Sequence, residues 1–125
     1  MEWIQYVLFA VVVWLLVKRF MPAKGLKNLS AQDVQEKLGQ PKQYAFIDVR
    51  EVHEYKNGHI KGFRNIPLSQ LTSQIANIPK EKSIVLTCRS GMRSRQAAKM
   101  LRKQGFDDIS HLQTGIAGWQ GPLAK

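Results

Sequence analysis

Apolar positions in this chain fall into two regimes. From Trp3 to Val17 every residue except Gln5 is apolar, with no polar face at helical spacing. From Leu26 onward they come in short bursts separated by Gly, Pro and polar clusters. Leu26-Lys27-Asn28-Leu29 alternates and predicts a short edge strand. Ser30 reads as an N-cap, with Asp33 three residues on in a variant capping box. The helix that follows, Ala31 to Leu38, should bury Val34 and Leu38 and end at Gly39. Tyr44 to Val49 predicts a buried strand, Glu51 to Tyr55 a polar turn of helix, and Gly58 to Gly62 a loop. Asn65-Ile66-Pro67 reads as extended, and Leu68, Leu71 and Ile75 share one helix face. Ser83 to Thr87 is the central strand, followed by a helix over Arg95 to Gln104. Arg102 and Lys103 suit that helix's negative end, and Gly105-Phe106 a Schellman stop. Ile109 to Leu112 is the last strand and Ile116 to Trp119 a final helical turn. Strands alternating with helices predict an α/β domain with a mainly parallel sheet.

The first segment changes the picture from a bare domain to a tethered one. Fifteen helical residues rise about 22 Å, and Met1 to Met21 about 31 Å, against a hydrocarbon core of about 30 Å. Trp3, Tyr6 and Phe20 lie near the ends as interfacial anchors, and Lys18 and Arg19 would snorkel to the headgroups. A cleavable signal would carry its cations before the apolar run, whereas here Glu2 comes first and the cations follow. Residues 1–21 are therefore expected to form one transmembrane signal anchor in a lipid bilayer, 22–25 a linker and 26–125 the domain. The cations after the run put the domain in the cytoplasm, with Lys24 and Lys27 against anionic lipid.

Composition narrows the class further. A chain of 125 residues holds one domain with a proper core. A single cysteine excludes an internal disulfide and an internal resolving thiol, and the lack of a Cys- or His-rich cluster argues against structural zinc. The net charge of +10, from 19 Lys and Arg against 9 Asp and Glu, suits anionic small molecules or a membrane surface. The cations are scattered, without a basic-aromatic stripe, so no nucleic acid partner is expected.

That one cysteine, Cys88, ends the central strand and opens the loop Arg89-Ser90-Gly91-Met92-Arg93-Ser94 ahead of a helix. In parallel α/β sheets, sites form at the carboxyl ends of strands, which is where Cys88 and Asp48 to Arg50 fall. Loop amides and the positive end of the helix would converge on the sulfur and favour a thiolate, the nucleophilic form. Arg89 and Arg93 would attract an anion, and Gly91 would permit the tight turn. A buried, inert cysteine is the plainer alternative for a thiol after a strand, and the two arginines and the glycine argue against it. None of the histidines falls within sequence-readable reach of Cys88. His53 reads as surface, His59 as ordering its loop, and His111 as strand packing, while Trp119 reads as a packed cap.

These residues resemble the rhodanese sulfurtransferases. Cys88 to Ser94 matches the family's active loop, and Asp48-Val49-Arg50, Glu54-Tyr55, Gly58-His59-Ile60, Gly62 and Asn65-Ile66-Pro67 match its upstream motif. Gly115, Gly118 and Trp119 match the C-terminal one, so the likeness runs over about residues 26 to 122 in order. Phe63 and Thr114 depart from the pattern, standing where a small residue and a second glycine are common. The resemblance implies a three-layer domain on a five-stranded sheet and sulfur transfer through a Cys88 persulfide. The sulfur would pass from a small anionic donor such as thiosulfate to a thiol, small or protein-borne, or to cyanide. It implies that Asp48 and Arg50 organise the site, although a structural ion pair is the plainer reading of those two residues, and it requires neither a metal nor an organic cofactor. Two other functions stay in view. A Cys-dependent phosphatase or arsenate reductase usually places five residues between Cys and Arg, where this loop has Arg89 to Met92. A module that only carries persulfide, or docks a partner, would keep the same loop.

Overall fold

The computed structural model describes residues 2–20 and 25–125, with side chains of the first stretch described to Val17. The elements run α1 Glu2–Phe20, β1 Leu26–Leu29, α2 Ala31–Leu38, β2 Tyr44–Asp48, α3 Val52–Lys56, β3 Arg64–Asn65, α4 Leu71–Gln74, β4 Ser83–Thr87, α5 Met92–Lys103 and β5 Ile109–Leu112. A 3-10 turn, Ile116–Gly118, follows β5. The five strands form one sheet in the order β1-β5-β4-β2-β3, every pair parallel. Parallel neighbours need crossover connections, and the helices between strands supply them.

Strand alternation decides the layering. Ile84 and Leu86 join Ile47, Ala97, Leu101 and Ile109 in one apolar cluster, on the α5 side. Val85, between them in β4, joins Phe46, Val34, Phe63 and Leu112 in a second cluster on the opposite face. A side chain on every other strand position feeds each face, so the sheet is covered on both sides. Phe63, one of the two departures from the family pattern, is buried in the second cluster with its ring 5.3 Å from that of Phe46.

Caps fix several boundaries where the sequence puts them. Ser30 Oγ accepts the Asp33 amide at 3.1 Å and the Asp33 carboxylate accepts the Ser30 amide at 3.0 Å, closing the box on α2. At the end of α5 the Phe106 amide donates to Leu101 O and the Gly105 amide to Arg102 O, both 3.1 Å, which is the expected Schellman pair. The helix expected behind Leu68 is instead broken into 3-10 turns, Leu68–Gln70 and Ile75–Asn77, around the one-turn α4, with no side-chain cap at any of these starts. The extended piece expected at Asn65–Pro67 lies one residue earlier, in β3.

The larger correction is at α5, which begins at Met92 rather than Arg95. Gly91 takes φ +98° and turns the chain directly into the helix, so Met92, Arg93 and Ser94 form its first turn. The free loop is reduced to Arg89-Ser90-Gly91.

The expected anchor is helical, yet among the described residues no helix is long and apolar enough to cross a membrane. The described side chains stop at Val17 and include Glu2 and Gln5, fewer apolar positions than the roughly twenty a crossing needs. The side chains expected to snorkel or anchor at 18–20, and the linker apart from Gly25, lie outside the described residues.

Candidate functional site

The site is built where β4 ends. Its last residue, Thr87, accepts the Val49 amide at 3.0 Å, which ties the carboxyl ends of β2 and β4 together. Cys88 follows, 1% exposed, with its thiol turned under the loop. The Gly91 amide donates to Sγ at 3.0 Å and the Ser94 amide at 3.4 Å. Ser94 Oγ stands 3.6 Å from the same sulfur. These donors belong to the turn and the first residues of α5, where amide hydrogens lack helical partners and the macrodipole is positive. The arrangement aims two amide donors at the sulfur. It is also what the sequence anticipates, although fewer amides converge than the seven-residue loop suggests.

A second loop clamps the first. The Ile116 amide donates to Cys88 O at 2.8 Å and the Ala117 amide to Arg89 O at 3.0 Å. The approach is close: a Cβ on Gly115, whose φ is +67°, would stand 2.3 Å from Arg89 O. The Gly115–Gly118 segment thus fixes the loop backbone. Thr114, the other departure from the family pattern, packs there, its Oγ1 filling the space over Gly118.

The expected anion-binding arginines have separate fates. Arg89 is exposed beside Ser90 and a largely exposed Met92, and among the described residues no carboxylate pairs with it. Arg93 instead reaches α3, where its guanidinium grips both oxygens of Glu54 at 2.6 and 2.9 Å. Hydrogen bonding from Arg93 holds the Glu54 carboxyl down at about 2, and the same bond raises the Arg93 guanidinium. Glu54 belongs to the sequence motif, but nothing in its spacing signals a partner thirty-nine residues away.

Asp48 and Arg50 form a buried ion pair at 2.9 Å, and the guanidinium also donates to Gly58 O at 2.7 Å. Asn65 Nδ2 braces the same turn, donating to Asp48 O at 3.0 Å and Arg50 O at 2.9 Å. These bonds close on one another and on the 58–65 loop. They do not reach the sulfur; the pair ties the turn after β2 to Gly58. His59 orders its loop as expected, its Nδ1 2.9 Å from Tyr55 O and its ring stacked on Tyr55.

His111 is more than strand packing. Its Nδ1 lies 2.7 Å from Ser94 Oγ and its Nε2 2.8 Å from Asn28 Oδ1, and the residue is fully buried. Burial, and secondarily the charge of Arg95, lowers it to about 4. A readable signal existed: Ser110-His111 puts two polar residues inside a four-residue strand flanked by apolar positions.

Against known proteins, a family model described as Rhodanese-like domain matches residues 30–122. The thiosulfate sulfurtransferase GlpE of Shewanella oneidensis is 31% identical over 95 residues, covering 76% of this chain and 93% of that protein. The putative sulfur carrier protein YrkF of Bacillus subtilis is 30% identical over 99 residues, 79% of this chain, which spans 54% of YrkF. The crystal structure of the Alr3790 protein from Anabaena sp. superposes with a TM-score of 0.71 at 28% identity, over 77% of this chain and 81% of that one. This chain belongs to the rhodanese-like domain family, among sulfurtransferases and sulfur carriers.

Proposed function

We propose that this chain transfers sulfane sulfur through a persulfide on Cys88. In the first half-reaction the Cys88 thiolate attacks the outer sulfur of a donor such as thiosulfate. A new S–S bond forms, the donor's own S–S bond breaks, and sulfite leaves with the electron pair. In the second, an acceptor thiolate or cyanide attacks the outer sulfur of the persulfide, and the Cys88 thiolate is released. No electron enters or leaves the protein over the cycle. The observation that carries this reading is the pair of amides, from Gly91 and Ser94, aimed at Sγ. They suit a thiolate and a terminal persulfide alike, since both are compact anions. The amides and side chains of Arg89 to Ser94 are the proposed binding set. Exposed Arg89 draws the anionic donor in, while Arg93, its charge matched by Glu54, fixes the first turn of α5 against α3.

Cys88→Ser should abolish thiocyanate formation from thiosulfate and cyanide while the fold persists. Turnover retained by that variant refutes the mechanism. Aryl phosphate hydrolysis faster than sulfur transfer would favour the phosphatase reading, against which the loop's four residues between Cys88 and Arg93 argue. The similarity to a putative sulfur carrier supports one second reading: a chain that loads sulfur readily but discharges it only to a dedicated protein thiol.

The same proposal has residues 1–21 seated in a lipid bilayer with the domain on the cytoplasmic side. What supports it is exposure: Trp3, Phe9 and Trp14 are 64%, 71% and 59% exposed, and apolar side chains face outward along the described length of α1. Such a surface is covered by lipid or protein in the cell. The full chain should remain with membranes through an alkaline carbonate wash, and residues 26–125 should not. A full chain found in the supernatant contradicts the anchor.

A further inference from the structure

We propose that His111, acting through Ser94, is the acceptor for the Cys88 thiol proton, so that thiol, hydroxyl and imidazole form one proton relay ending on Asn28. This rests on the persulfide reading of Cys88 and extends it to how the nucleophile is made.

The direction of the relay follows from counting donors. Asn28 Oδ1 only accepts, so the 2.8 Å contact requires His111 Nε2 to carry a hydrogen. In a neutral imidazole Nδ1 is then bare. Its 2.7 Å contact with Ser94 Oγ is satisfied only if the Ser94 hydroxyl donates to it. The competing acceptor for that hydroxyl, Gly91 O at 2.9 Å, already receives the Arg95 amide at 3.2 Å. With its one hydrogen spent on His111, Ser94 Oγ presents lone pairs to Sγ at 3.6 Å and can accept only from S–H. The resting order is therefore S–H to Oγ, O–H to Nδ1, and Nε2–H to Asn28.

Ionisation moves two protons along this line. The Sγ–H bond breaks and an Oγ–H bond forms. The former Oγ–H bond breaks and an Nδ1–H bond forms. No electron is transferred. The product is a thiolate with a third donor, the new Ser94 O–H, beside the Gly91 and Ser94 amides. The imidazolium has both hydrogens accepted, by Ser94 Oγ and Asn28 Oδ1. The charged or titratable groups facing the ring are Cys88 from the loop after β4 and Arg95 from α5, while β1 supplies neutral Asn28. Burial and Arg95 disfavour a lone imidazolium, so His111 is neutral while the thiol holds its proton; the charge that offsets this cost is the thiolate formed in the same step, one hydroxyl away. Ring and loop are also in register, since a Cβ on Gly91 would come within 3.7 Å of His111 Cε1.

The test is the rate of Cys88 alkylation by iodoacetamide at pH 7, followed by intact mass on the full chain, where the sole cysteine gives one product. Alkylation follows the thiolate, and one unit in its ionisation is tenfold in rate below the midpoint. His111→Asn keeps a hydrogen-bonding amide near Nδ1 but takes no proton, and the rate should fall about tenfold. Asn28→Asp places a carboxylate on Nε2 and stabilises the imidazolium, so the rate should rise about threefold. A purely structural histidine predicts no gain in the second variant, because an added carboxylate then only repels the thiolate. Asn28 is exposed on edge strand β1, so if His111→Asn fails to fold, Asn28→Asp decides alone. A rate unchanged in either folded variant, or lowered in Asn28→Asp, overturns the relay. Alkylation needs no sulfur donor. A chain that alkylates as expected but never loads sulfur refutes the transfer reading alone, and the converse refutes only the relay.

Discussion

Glu54 and Arg93 show how one ion pair acts on both stability and chemistry. The pair is partly buried, bidentate, and joins α3 to the first turn of α5 beside the sulfur. Because the folded carboxyl sits at about 2 against an ordinary value of 4.5, the folded state releases its proton more readily than the unfolded chain. The stabilisation is full above about pH 4.5 and is lost as pH falls toward 2. His111 acts over a higher window. Its folded value of about 4 lies below the ordinary 6.5, so the unfolded chain takes up the proton first and stability declines as pH falls from 6.5 toward 4. Acid denaturation should therefore show two regions of slope. Glu54→Gln should cost about 1 kcal/mol at neutral pH, given its partial exposure, and should flatten only the lower region. An unchanged profile below pH 4.5 in that variant contradicts the assignment. Arg89→Gln should raise KM for thiosulfate several-fold with a smaller effect on kcat, since an exposed cation recruits the donor but does not hold the sulfur.

At the scale of elements, what was legible is what local chemistry decides. The β2 and β4 runs are buried on both faces, so their apolar stretches mark the strands without ambiguity. The α2 cap and the α5 stop are written in Ser30, Asp33 and Gly105-Phe106. The start of α5 was not legible, because Met92-Arg93-Ser94 carries no capping side chain: Gly91 makes the turn through backbone conformation alone. The Glu54–Arg93 and His111–Ser94 contacts were equally hidden, since they join residues on different elements that only the parallel crossovers bring together. The clamp between the Gly115–Gly118 segment and the Cys88 loop gives a test at this scale. Gly115→Ala forces a side chain into Arg89 O at a positive φ and should cost about 1–3 kcal/mol through backbone strain. Sulfur transfer should drop further than stability alone explains, because the displaced strand end carries Cys88. A folded variant with full transfer would show that the clamp does not position the loop.

For the whole molecule, the sheet and its two apolar clusters involve residues from Leu26 onward, whereas the described side chains of α1 are exposed. Domain and N-terminal helix therefore answer to different environments, one to its own core and the other to whatever covers its apolar surface. Residues 26–125 alone should keep the melting behaviour of the domain and its reactivity toward a sulfur donor. The sulfur-transfer expectations depend on one chemical event at the carboxyl end of β4. The purified chain should be incubated with thiosulfate and read by intact-protein mass spectrometry. The account predicts a gain of one sulfur atom, localised to Cys88, reversed by cyanide and lacking in Cys88→Ser. A chain that stays unmodified with thiosulfate and with other sulfane donors, or that takes up sulfur elsewhere than Cys88, contradicts it.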